Sequence, residues 1–192
     1  MDRISIKGVL AGPLFWNAEK CLRFLSDASD KIEREPNDSQ VLVQLEVRQE
    51  MVGGKDWRLR LETGLQEDLR KFRTYNEDLK DLLRAIRNKR HHQRDLTDDA
   101  RKELGTTTES FYDHWNKRFP LLLPVTYQAI CCAYARDNDV HFIDFFEEKS
   151  AQITARHVEN DFEQLKQLKQ LKQLKPDNVE NDQNHIGEDF SF

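Results

Sequence analysis

Long apolar runs are missing from this chain. The longest, LLLPV at 121–125, falls far short of the ~18–20 apolar residues that a membrane-spanning helix needs. The opening residues, MDRISIKGVLAG, lack the apolar core of a signal peptide. A soluble, cytoplasmic protein is therefore expected. Cysteine is scarce. Cys21, Cys131 and Cys132 are too few for a disulfide framework, and the last two lie in an apolar helical run. They read as small buried hydrophobes. No CxxC or HxxxH spacing argues for zinc, so no metal or other cofactor is expected. Seven glycines and five prolines are few for an all-β chain built on tight turns.

What the 192 residues do have is charge. Charged residues make up 34% and hydrophobic ones 38%, with a net charge of −5. This suits a compact all-α domain with a polar surface and an additional tail.

The spacing of apolar residues places the elements. Asn17 caps a first helix carrying Cys21, Phe24, Leu25, Ala28 and Ile32 on one face, and Pro36 ends it. QVLVQLEV (40–47) reads as a short helix and EMVGGKDW as a loop. Leu61 to Arg73 is helical and charged. Leu79, Leu82, Leu83 and Ile86 then form a buried stripe, capped by Asn76 or Asp78. Continued to residue 90, that helix would bury Arg90 on the side of Leu83. Burying an unpaired arginine is costly, so fraying near Asn88–Arg90 is expected. Thr97 caps a helix that Gly105 ends. Phe111, Trp115 and Phe119 supply core contacts, Pro120 to Arg136 is a buried helix, and HFIDFFEE (141–148) docks at the domain edge.

The C-terminal part differs. QLK repeats with period 3 over 163–175, so Leu165, Leu168, Leu171 and Leu174 drift by about 60° per step around a helix. They make no coiled-coil seam. After Pro176 come five acids with no Lys or Arg. The expected organisation is a lead over 1–11, a domain over 12–148, a charged helical extension over 149–175 and a disordered acidic tail over 176–192.

Charge is segregated. Lys80, Arg84, Arg87, Lys89, Arg90 and Arg94 stand against Asp81 alone between residues 80 and 94. This local +5 leaves −10 for the rest of the chain, a pattern that suits a docking site for a polyanion. His91 and His92 add a side chain suited to general acid catalysis. Together these are the parts of a metal-independent ribonuclease. RNA supplies its own nucleophile, the 2′-OH. A base removes its proton, an acid protonates the departing 5′-oxygen, and cations stabilise the phosphorane between them. Asp95, Asp98 and Asp99 read as cap and surface residues. A basic helix end that only binds phosphate, or is merely solvated, is the commoner case on these residues alone.

The segment LQEDLRKFRTYNEDLKDLLRAIRNKRHHQRDL closely resembles the kinase-extension nuclease domain. That is the ribonuclease module of the inositol-requiring kinase of the unfolded-protein response and, more distantly, of RNase L. PLFW (13–16), LRFLSDASDKIE, DW (56–57) and RFPLLLPVTY (118–127) match as well, so the resemblance covers about residues 12–146. It implies a compact all-α fold and an endoribonuclease leaving 2′,3′-cyclic phosphate and 5′-hydroxyl ends. By the same resemblance, Arg87 and Asn88 hold and polarise the scissile phosphate, His92 is the general acid, and Tyr75 lies at the 2′-OH. Lys89, Arg90, Arg94, His91 and Arg84 are expected RNA or phosphate contacts. RNA and a second copy of the chain, in a weak homodimer, are the implied partners.

Two departures stand out. Only about a dozen residues precede PLFW, so no nucleotide-binding kinase is expected in this chain. The NED link after Tyr75 is one residue shorter than the family's usual Gly/Ser-containing link. These favour the alternative of a non-catalytic RNA-binding or dimerisation module. A retained Tyr75, Arg87, Asn88 and His92 favours the enzyme.

Overall fold

The computed structural model describes residues 12–137, 140–146 and 148–173. Among these residues there are helices and turns but no strand. The expected lead and acidic tail lie outside them, as do the last two residues of the expected extension.

Helix α1 (Ala18–Arg34) begins where the Asn17 side chain accepts from the Lys20 N–H at 2.9 Å. It ends at extended Glu35, because the ring of Pro36 disfavours helical backbone in the residue before it. Ser39 caps α2 (Gln40–Val47). The glycine-containing stretch that follows is not all loop. Residues 49–53 form a short helix, α3 (Gln49–Gly53), which stops only at Gly54 with φ at +72°. A 3₁₀ turn (Trp57–Arg60) leads to α4 (Thr63–Phe72). Next come α5 (Leu79–His91), α6 (Asp98–Leu104), α7 (Thr108–Arg118), α8 (Leu122–Asp137) and α9 (Glu148–Gln173). Thr97 caps α6, Gly105 ends it with φ at +75°, and Thr107 with Ser110 forms a capping box on α7.

Helix α5 packs chiefly on α1, burying Leu79, Leu82, Leu83, Ala85 and Ile86. Each large side chain of this kind contributes roughly 1.5–3 kcal/mol of burial. Phe24 of α1 meets an aromatic cluster of Trp16, Tyr127, Phe142, Phe145 and Phe146, so the three phenylalanines of HFIDFFEE do dock on the core. Cys21, Cys131 and Cys132 are buried and form no disulfide, and burial pushes Cys131 up to about 12. Helix α9 is not merely appended. Ala151, Ala155 and Val158, spaced four and three apart, are buried, with Cys132 packed beside Ala155 and Val158.

The expected fraying of α5 does not occur. The helix runs through His91, with the His92 N–H bonded to the Asn88 carbonyl at 2.9 Å. The physical reason is pairing. Arg90 does lie on the inward side, but its guanidinium meets the carboxylate of Glu19, so no unpaired charge is buried.

Candidate active site

The site is built on the C-terminal half of α5 and the segment before its N-terminus. That segment carries Tyr75 and is held from three sides. The Trp57 indole donates to the Asn76 carbonyl at 2.9 Å, and its ring meets the Tyr75 ring edge-on at 6.2 Å. Arg58 donates to the Tyr75 carbonyl at 2.5 Å. The Asn76 N–H donates to Asp81 at 2.6 Å. Asp78 caps α5 by accepting from the Asp81 N–H at 2.7 Å. The Gln49 side chain spans the NED link, donating to the Glu77 carbonyl and accepting from the Leu79 N–H. The NED link is thus held at both of its ends.

The result is a contact between two expected site residues. Asn88 Nδ2 donates to the Tyr75 hydroxyl oxygen at 3.0 Å. Tyr75 is otherwise buried, only 6% exposed. Behind Asn88 stands Arg87, with Nε and Nη2 at 3.4 and 3.3 Å from Asn88 Oδ1. Arg87 is itself anchored to Asp30 at 2.5 Å and Glu33 at 2.8 Å, both on α1. A chain of polar contacts therefore runs from α1 through Arg87 and Asn88 to Tyr75.

Tyr75, Asn88 and His92 line one cleft of about 390 Å³, together with Arg73, Lys89 and Asp95. His92 is exposed at the end of α5, with its Nδ1 3.3 Å from an Asp95 carboxylate oxygen. Asp95, which reads as a surface residue from sequence, thus faces the cleft. Among the described residues no three His, Cys, Asp or Glu side chains gather in metal-binding geometry.

Several expected phosphate contacts are engaged elsewhere. Arg84 bonds Glu33 at 2.6 Å and also pairs with Asp81. Lys89 lines the cleft wall, but its ammonium is turned to Asp68 at 2.5 Å in a buried pair. Asp68 also accepts from the Thr97 N–H at 3.0 Å, tying α4, α5 and α6 together. Arg90 faces Glu19, and Arg87 does not line the cleft. His91 and Arg94 are exposed and lie outside it. Burial acts to raise the Glu33 and Asp68 carboxyls. Arg84 and Arg87 outweigh it at Glu33, and Lys89 with Thr97 outweighs it at Asp68, so both end below the usual carboxylate range.

Reading the sequence alone missed the acids that do this. Asp30 and Glu33 lie at i and i+3 on α1, the helix that α5 must pack against. A +5 segment on a half-buried helix needs counter-charges, and that was the available signal. Asp56 and Arg58, the clamp behind Tyr75, had no such signal. The hydrogen bond from Arg58 holds the Asp56 carboxyl below its ordinary range.

Comparison with known proteins places the chain. The family model described as Ribonuclease 2-5A matches residues 21–146. The serine/threonine-protein kinase/endoribonuclease ire-1 of Caenorhabditis elegans is 42% identical over 130 residues, 67% of this chain and 13% of that protein. The human serine/threonine-protein kinase/endoribonuclease IRE2 is 40% identical over 129 residues, 67% of this chain and 14% of that protein. The sensor for unfolded proteins in the ER ire1 of Schizosaccharomyces pombe is 39% identical over 131 residues, 67% of this chain and 12% of that protein. The chain thus spans about an eighth of the length of these relatives. No helix of the described residues is long and apolar enough to cross a membrane.

Proposed function

The chain belongs to the Ribonuclease 2-5A family, the kinase-extension nuclease domain, and on that premise we propose that it is a metal-independent endoribonuclease acting by transesterification. The attacking nucleophile is the 2′-OH of the substrate. Its oxygen bonds to phosphorus as its proton passes to solvent water acting as the base. The bond from phosphorus to the 5′-oxygen breaks, and that oxygen takes a proton. The products are a 2′,3′-cyclic phosphate and a 5′-hydroxyl.

The observation that carries this reading is the convergence of Tyr75, Asn88 and His92 on one cleft. His92, exposed at its mouth, is the general acid for the 5′-oxygen. Asp95 orients its ring. Because Tyr75 accepts from Asn88, its own O–H is free to donate to the 2′-oxygen or the phosphate. Arg87 serves as a positioning residue that fixes Asn88. Lys89 acts with Asp68 as a brace for the cleft wall rather than as a phosphate ligand.

A second reading is a non-catalytic RNA-binding or dimerisation module. It is favoured by the engagement of Arg87 with two carboxylates, which leaves the cleft without that cation. Incubating the purified chain with a stem-loop RNA in EDTA separates the two. Fragments with 2′,3′-cyclic phosphate ends support the nuclease. Intact RNA at high protein concentration overturns it. We also propose a weak homodimer that RNA favours by bridging two copies. Specific activity then rises with protein concentration, whereas a constant value over a range shown to be monomeric by sedimentation rules out an obligate dimer.

A further inference from the structure

A second cleft, of about 350 Å³, shares Tyr75 and Arg73 with the first but contains none of Asn88, His92 or Asp95. One wall is a face of α4, where Gln66, Leu69 and Arg70 recur at helical spacing, and Arg73 follows in extended backbone just past the helix end. The 3₁₀ turn supplies Leu59, a large apolar side chain left 76% exposed. The size is within the range of small-molecule sites, roughly 300–1,000 Å³.

Its charges differ from those of α5. Arg58 is committed to Asp56, Glu77 and the Tyr75 carbonyl, and so neutralises the acid in the cleft. Arg70 bonds only the neutral Gln66 side chain, at 3.3 Å. Arg73 stands 6.0 Å over the Tyr75 ring. Among the described residues neither Arg70 nor Arg73 has an acidic partner. Two exposed guanidinium groups without counter-charge, beside an exposed apolar side chain, suit a nucleotide: phosphate on the cations, base on Leu59.

The chemistry proposed for the first cleft sets the direction. His92 protonates the 5′-oxygen, which belongs to the downstream nucleotide. Tyr75 lies at the 2′-OH, which belongs to the upstream one. The second cleft continues from Tyr75, away from His92. We propose that it binds the upstream nucleotide, with that nucleotide's 5′-phosphate held by Arg73 and Arg70 and its base against Leu59. The direction rests on the nuclease reading. The existence of a phosphate site at Arg73 and Arg70 does not.

The test uses the full chain and dinucleotides whose upstream sugar is 2′-deoxy, so that nothing is cleaved. The unphosphorylated, 5′-phosphorylated and 3′-phosphorylated forms compete with a labelled RNA oligonucleotide. The 5′-phosphate should tighten binding on the order of tenfold, the effect of a charge-assisted contact, and the 3′-phosphate by less than about threefold. Arg73→Gln should remove most of the 5′ increment, and Arg73→Gln with Arg70→Gln all of it. Arg73→Lys should keep part. For a longer single strand the salt dependence should flatten by about 0.7 in log–log slope for each lost phosphate contact. Both arginines are exposed, so thermal melts of the variants should match wild type. Equal increments from the two phosphates, an increment that survives the double substitution, or no binding at all would overturn the subsite. A 5′ increment that depends on Arg73 in a chain that cuts no RNA would leave the subsite standing and sink the nuclease. Cleavage without that increment would do the reverse.

Discussion

Two sets of cations flank Tyr75, and they are used differently. Along α5, Arg84, Arg87, Lys89 and Arg90 each meet a carboxylate from α1, α4 or α5 itself. At the mouth of α5 and at the end of α4, His91, Arg94, Arg70 and Arg73 meet none among the described residues, and His92 meets only Asp95. The first set is half-buried and holds helices together. The second is exposed and free to take an anion. A basic cluster in a sequence is therefore not a footprint for a polyanion until the counter-charges have been subtracted. Once they are, the free charge lies at the C-terminal end of the segment that the sequence points to and, outside it, at the end of α4.

The comparison is sharpest at His92. His92→Ala should lower kcat by about 10²–10⁴-fold, the usual worth of a positioned general acid. The side chain is 69% exposed, so the melting temperature should not move. A loss of activity accompanied by a loss of stability would put His92 in the structural set instead.

Lys89 should behave in the opposite way. Its partner Asp68 has a fully buried side chain. Lys89→Met would leave that carboxylate with little but the Thr97 N–H, and losing one partner of a buried pair costs about 3–5 kcal/mol. A large fall in melting temperature, partly restored by adding Asp68→Leu, is the expected outcome. A variant with unchanged stability and weakened RNA binding would return Lys89 to the phosphate contacts.

Acid pH should break the structural set. Glu33, Asp56 and Asp68 are all lower in the folded chain than their ordinary values of about 4. Their contribution is therefore complete above about pH 4 to 5, where the unfolded carboxylates are already ionised. It is lost as pH falls from there through the lowered folded values, because the unfolded chain binds more protons. Stability measured by denaturant should fall across that window. Glu33→Gln should make the fall shallower, since Glu33 serves both Arg84 and Arg87. An unchanged slope in that variant would mean that the Glu33 pairs contribute nothing measurable.

Helix positions were legible because capping residues and apolar spacing agree at Asn17, Asp78 and Thr97. The contact of Tyr75 with Asn88 was not legible from spacing, which puts Tyr75 at the other end of that helix from the histidines; only the resemblance of whole segments names both as site residues. The paired arginines were not legible, because Asp30 and Glu33 are distant in sequence and only the packing of α1 on α5 brings them close. The mistaken fraying of α5 has the same origin, since Glu19 could not be foreseen beneath Arg90. Helix α9 was obscured by its own repeat. The QLK period drew attention, while Ala151, Ala155 and Val158 carried the packing.

The smallest effect should come from His91. It stands next to His92, and the sequence alone treats the two nearly alike. In the folded chain it lies within α5, exposed, and lines neither cleft. Among the described residues it makes no ion pair or hydrogen bond through its side chain. A residue so placed adds at most a screened charge near the RNA, worth less than about 1 kcal/mol. His91→Ala should therefore change kcat by less than about threefold, with any effect on binding fading as salt rises. The measurement is a single-turnover cleavage rate for His91→Ala and His92→Ala side by side, at two salt concentrations. If His91→Ala proves the more damaging, the general acid has been assigned to the wrong ring, and the cleft that His92 lines is not where the leaving oxygen departs.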